Sequence, residues 1–175
     1  MRGPTLLAIA LTLTAAASLS AQERLTARAD LIDARGRKVG EATLHETPNS
    51  GVHIELDVSG LRAGAIHGFH IHETGRCETP TFESAGGHYA PRGREHGILN
   101  ADGPHAGDLL NLHVPASGRV HVEQLAPRVT LRAGARNTLF DDDGSALVIH
   151  ADADDYRSQP SGESGDRIVC GVIRR

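Results

Sequence analysis

The stretch GVHIELDVSG, residues 51–60, constrains the fold most strongly. Val52, Ile54, Leu56 and Val58 alternate there with His53, Glu55 and Asp57. A period of two puts the apolar set on one face and the polar set on the other, the pattern of a half-buried β-strand. RLTARADLID (24–33), VGEATLHET (39–47), LLNLHVPASGRVHVEQL (109–125), SALVIH (145–150) and RIVCGVI (167–173) follow it less regularly. Turn residues divide them: Gly36, Pro48-Asn49-Ser50-Gly51, Pro115-Ala116-Ser117-Gly118 and Asp142-Asp143-Gly144. No helical period runs through this part of the chain. Short strands with frequent turns predict an all-β, antiparallel sandwich or barrel in one domain. Residues 73–107 and 152–166 lack strand character, and loops this long in a compact domain usually carry function.

The first residues follow another rule. Met1-Arg2-Gly3-Pro4 precedes an apolar run over residues 6–17 and the small residues Ser18, Ser20 and Ala21, with Leu19 where a small residue is usual. That is the pattern of a secretory signal peptide, which predicts a leader over 1–21 and a folded domain over 22–175. The run is too short for a membrane anchor, and no cysteine follows it to carry a lipid. Export places the protein in the periplasm first, with full secretion as the alternative. In an oxidising compartment Cys77 and Cys170, the chain's two cysteines, should pair. Their bridge closes a loop of roughly 90 residues, worth about 4–5 kcal/mol in the chain-entropy account. The net charge is −4, with Lys38 the single lysine and no basic run. Nucleic acid and anionic membranes are therefore not expected partners.

Eleven histidines are the other unusual feature. His45, His53, His113 and His121 sit in strand contexts with no partner at ligand spacing and read as surface residues. In HGFHIH (67–72), His70 and His72 lie two apart, so in a strand they project from one face while Phe69 and Ile71 take the other. The glycine-rich loop that follows adds His88, His96, His105 and Asp108, and His150 ends SALVIH. Three imidazoles and a carboxylate suit structural zinc. His70, His72 and His150 with one loop histidine make an all-nitrogen set, which suits Cu(II). Both sets need His88, whose two ring nitrogens allow it to bridge two ions.

HGFHIHETGRC, SAGGHYAP, EHG, GPHAGDLLNL, ALVIHADADDY and GDRIVCGVI, in this order and spacing, resemble the copper/zinc superoxide dismutases of the exported bacterial type. The resemblance runs from about Arg24 to the end. It implies an eight-stranded Greek-key β-barrel, of immunoglobulin-like sandwich architecture, with long metal-binding and electrostatic loops outside the barrel wall. It implies copper on His70, His72, His88 and His150, and zinc on His88, His96, His105 and Asp108. It assigns catalytic parts to His88, as the bridge, and to Arg167, as the arginine that guides the superoxide anion. Asp154 falls where the family links a copper histidine to a zinc histidine, and Cys77 and Cys170 match the family disulfide. His67 matches no ligand and reads as a hydrogen-bonded brace for the ligand strand. Ala90 and Leu110 depart from common family residues at non-ligand positions. The 152–166 loop is acidic, with Arg157 its single cation, which argues against strong long-range steering of an anion. The resemblance leaves monomer and homodimer both open. Two rival readings are an inactive relative that only binds copper and zinc, and a zinc-only adhesion domain. The first would tolerate losing Arg167 or a copper histidine; the second leaves His70, His72, His150 and Arg167 without a purpose.

Overall fold

The computed structural model describes residues 25–49 and 51–175. The expected signal peptide and its cleavage point lie outside the described residues. The described residues form nine strands: β1 (Thr26–Asp33), β2 (Lys38–Glu46), β3 (Val52–Val58), β4 (Ile66–His67), β5 (Phe69–His72), β6 (Leu112–His113), β7 (Val120–Ala126), β8 (Ala146–His150) and β9 (Arg167–Val172). Seven form one antiparallel sheet in the order β5-β8-β9-β1-β2-β3-β7, and β4 pairs with β6. One short 3-10 turn, Glu83–Ala85, is the helical exception among the described residues. The all-β antiparallel expectation holds.

HGFHIH reads as one strand, but the structure bends it at Gly68. Gly68 donates its N–H to Asp152 O and accepts from the His150 N–H. A Cβ there would lie 2.9 Å from Ser164 Cβ. The bend lets β4 pair with β6 while β5 pairs with β8, so one segment serves both sheets. Counted as a single strand, β4–β5 brings the total to the eight of a Greek-key barrel.

Between β6 and β7 the wall is joined by a side chain. Leu110 N–H donates to Gln124 Oε1 at 3.0 Å, and Gln124 Nε2 donates to Leu110 O at 2.9 Å. A carboxamide carries one acceptor and one donor side by side, so it stands in for a neighbouring peptide unit. Inside the barrel, Leu31, Leu44, Ile54, Leu56, Phe69, Ile71, Leu147 and Ile149 are essentially inaccessible to water. A second apolar cluster lies outside the wall. Phe82, Ala85, Ala146, Val148 and Cys170 pack there, so both faces of β8 are covered. The Cys77–Cys170 disulfide pins this layer, with Cα atoms 5.8 Å apart across 93 residues of sequence.

Candidate metal centre

All four residues of β5 are buried. Phe69 and Ile71 enter the core, while His70 and His72 lie beneath the loops. The 73–111 loop covers the strand edge that β8 leaves free. Ile71 donates to Gly107 O, Tyr89 donates to Ile71 O, and Gly107 donates to Tyr89 O. These contacts set His88 opposite His72 and Asp108 opposite His70. Gly107 is required at this approach, because a Cβ would fall on Ile71 O.

Two groups of ligand atoms result. His70, His72, His88 and His150 offer nitrogens within 4.8 Å of one another, and so do the donor atoms of His88, His96, His105 and Asp108. His88 belongs to both. In the first group the protein engages the outer nitrogen of each ring. His70 Nε2 donates to Asp154 Oδ2 at 2.9 Å, His72 Nδ1 to Gly86 O at 3.0 Å, and His150 Nδ1 to Gly165 O at 3.1 Å. A neutral imidazole has one proton, so the inward nitrogens present lone pairs. His70 Nδ1 and His88 Nε2 are buried without a hydrogen-bond partner. His72 Nε2 and His150 Nε2 face each other at 3.3 Å with no proton left to share. Burial first, then the neighbouring imidazoles, pushes His70 down to about 3. Burial likewise lowers His150 to about 4 and depresses His72 and His88. A pocket of inward lone pairs that resists protonation suits a cation that accepts four nitrogens, as copper does.

The second group has the opposite electrostatics. His88, His96 and His105 turn Nδ1 toward Asp108 Oδ1 at 3.0, 3.1 and 3.2 Å. Asp108 Oδ2 accepts the N–H groups of Gly97 and His105 at 2.9 Å each. Burial works to raise the Asp108 pKa, but the three imidazoles and Gly97 outweigh it and hold the carboxyl well below the usual range. Burial opposes charge on His96, yet Asp108 and Asp154 raise it to about 9. Three imidazoles and one ionised carboxylate converging on a point fit zinc.

Asp154 joins the two groups. Its Oδ2 takes His70, and its Oδ1 takes His96 Nε2 at 3.0 Å. These bonds and the Tyr156 N–H keep it ionised despite burial that favours the neutral acid. Arg167 opens β9 opposite His150. Its guanidinium donates to Phe82 O at 2.8 Å and Gly86 O at 2.7 Å, so Arg167 and His72 share one carbonyl. His67 sends Nδ1 to His150 O at 2.8 Å and Ala151 O at 3.0 Å, bracing the backbone that carries one of the clustered histidines.

Several supports escape residue-type reasoning. Asn111 clamps the Asp154 backbone from both sides, donating to its carbonyl at 2.8 Å and accepting its N–H at 2.9 Å. Gln159 does the same for His96. The carbonyls of Gly86 and Gly165 orient two rings but leave no mark in the sequence, because any residue has a carbonyl. Gly162 has φ +68°, and a Cβ there would fall on Asp154 Oδ1 and lie 2.7 Å from His96 Nε2. His45, His53, His113 and His121 lie on other strands and join neither group.

Fold and site together define a β-barrel metalloprotein with two adjoining imidazole-rich sites that share one ring. Residues 38–173 match the family model of copper/zinc superoxide dismutase (SODC), and the chain belongs to that family. It is 52% identical over 157 residues to superoxide dismutase [Cu-Zn] 2 of Aquifex aeolicus, covering 90% of this chain and 91% of that one. The superoxide dismutase-like protein of Bacillus subtilis is 48% identical over 143 residues, 82% of this chain and 73% of its own. A crystal structure of a SOD-like protein from Bacillus subtilis superposes with a TM-score of 0.81 at 47% identity, over 83% of this chain and 96% of that one. The Cu/Zn superoxide dismutase from Brucella abortus gives 0.68 at 28% identity, over 86% and 100%. Copper and zinc are the cofactors of the family, and the donor sets described above fit them.

Proposed function

We propose that this protein is a superoxide dismutase, that copper takes His70, His72, His88 and His150, and that zinc takes His88, His96, His105 and Asp108. The observation that carries this reading is completeness: both donor groups are whole, share His88, and lie beside Arg167. An inactive metal-binding relative would have no use for that conjunction. The reaction converts two superoxide anions and two protons into O2 and H2O2, one anion losing the electron that the other gains. Bound copper supplies this one-electron exchange, and zinc, which has no redox chemistry, supplies fixed charge and position.

The chain's own groups do the rest. Arg167 holds a positive charge in a fixed orientation for an arriving anion. Burial lowers its pKa, but a guanidinium stays charged at neutral pH. His88 Nε2 has no protein partner, so it can hold a proton between the half-reactions and pass it to the product peroxide. Asp108, on the far nitrogen, keeps the ring in place meanwhile. Asp154 and the carbonyls of Gly86 and Gly165 fix the other rings.

The chain acts outside the cytosol, in the periplasm first. This rests on the apolar leader-like segment over residues 6–17 and on the Cys77–Cys170 bridge, a bond that persists in oxidising compartments. Among the described residues no helix is long and apolar enough to cross a membrane. Arg167→Ala tests the anion role. Copper content by mass spectrometry should be unchanged while the rate of superoxide decay falls at least tenfold. An undiminished rate would remove Arg167 from the mechanism.

A further inference from the structure

The outer face of β2, β3 and β7 carries a second constellation of donors. His45 of β2 and His53 of β3 are direct cross-strand partners, with ring centroids 6.4 Å apart. Glu55 lies two residues beyond His53 on the same face. Its Oε1 stands between the rings, 3.9 Å from His45 Nε2 and 3.8 Å from His53 Nδ1. The far nitrogen of His53, Nε2, lies 3.1 Å from Glu123 Oε2 of β7.

We propose that His45 Nε2, His53 Nδ1 and Glu55 Oε1 form a third metal site, an open zinc site, with Glu123 orienting His53 from behind. Two imidazoles and one carboxylate, with a position left for water, are the donor set of open zinc sites. A carboxylate on the outer nitrogen of a ligating histidine fixes the ring and its tautomer, and Glu123 occupies that place. At 3.8 and 3.9 Å the Glu55 carboxylate is in loose electrostatic contact with both rings and hydrogen-bonded to neither, so its Oε1 keeps lone pairs free. The two ring nitrogens stand further apart than the donors of the central groups, which all lie within 4.8 Å of one another, and zinc at about 2.0–2.2 Å from each donor would draw the three to roughly 3.3 Å apart. Both rings are about a third exposed, at 37% and 32% of their side-chain surface, and can swing inward. Glu55 and Glu123 balance the dication's charge. The site does not depend on the central one: β2 and β3 lie at the far end of the sheet order from β5 and β8, and the two sites share no residue.

The test uses the protein with its central copper and zinc already bound and excess metal dialysed away. Titration with Zn2+ in a non-chelating buffer, followed by calorimetry, should reveal one further equivalent. His45→Gln and His53→Gln, made separately and checked for an unchanged thermal midpoint, should each weaken it at least tenfold. Glu123→Gln should weaken it about tenfold, the usual effect of losing such an orienting carboxylate. Superoxide activity should stay unchanged in all three. No further equivalent in the parent protein would overturn the proposal. So would an equivalent undiminished in both histidine variants, which would mark the zinc as adventitious.

Discussion

At the scale of single residues, the centre depends on groups that touch no metal. Asp154 takes one ring nitrogen from each donor group, so it ties the two sets to one carboxylate. Asp154→Asn keeps its size but can accept from only one of the two rings. Chelator competition should show both metals bound 10–100-fold more weakly, the range expected for an orienting partner. Gly162→Ala should cost zinc more than copper, because the added methyl meets Asp154 Oδ1 and His96 Nε2 at a left-handed backbone position. Metal analysis of the purified variant, alongside its far-ultraviolet spectrum, separates that effect from unfolding. The donor residues themselves were legible in the sequence, because histidine at strand and loop spacing is chemically conspicuous. Asp154 needed the family resemblance, since nothing in ADADDY tells one aspartate from the next. Asn111, Gln159 and the glycine carbonyls were not legible at all. They act through backbone atoms or amides whose partners are set by the folded loop.

At the scale of elements, alternation in the sequence located the long strands but missed the bend at Gly68. The period-two pattern covers only Phe69–His72, and nothing in it shows that His67 and Phe69 pair with different strands, β6 and β8. The seam at Gln124 was equally invisible, because it depends on an amide meeting a backbone segment fourteen residues earlier. Gln124→Ala would remove both part-buried hydrogen bonds to the Leu110 backbone and, at roughly 0.5–1.5 kcal/mol for each, should lower stability by about 1–3 kcal/mol in urea unfolding. The disulfide joins fold to site through a short path. Cys77 and Cys170 hold the layer containing Phe82, and the Phe82 carbonyl accepts from Arg167. Cys77→Ser should therefore cost about 2–5 kcal/mol of stability. It should also lose activity and metal on gentle heating that leaves the parent intact. A variant that keeps both would reduce the bridge to a purely structural link.

At the scale of the whole molecule, the barrel and the metals stabilise each other. Folding brings together inward lone pairs at His70, His72, His88 and His150, and a carboxylate facing three imidazoles, donors that the unfolded chain keeps apart. Ions that bind only the folded state add stability by mass action, about 4 kcal/mol at a thousandfold excess over Kd. Removing both metals should lower the thermal midpoint, and zinc alone should restore part of it without restoring activity. The most direct test of the central claim is stopped-flow decay of superoxide with the copper- and zinc-loaded protein, counted per bound copper. The structure predicts many superoxide anions consumed per copper and loss of that turnover in His72→Ala. Full copper occupancy with no more than one superoxide consumed per copper would contradict it.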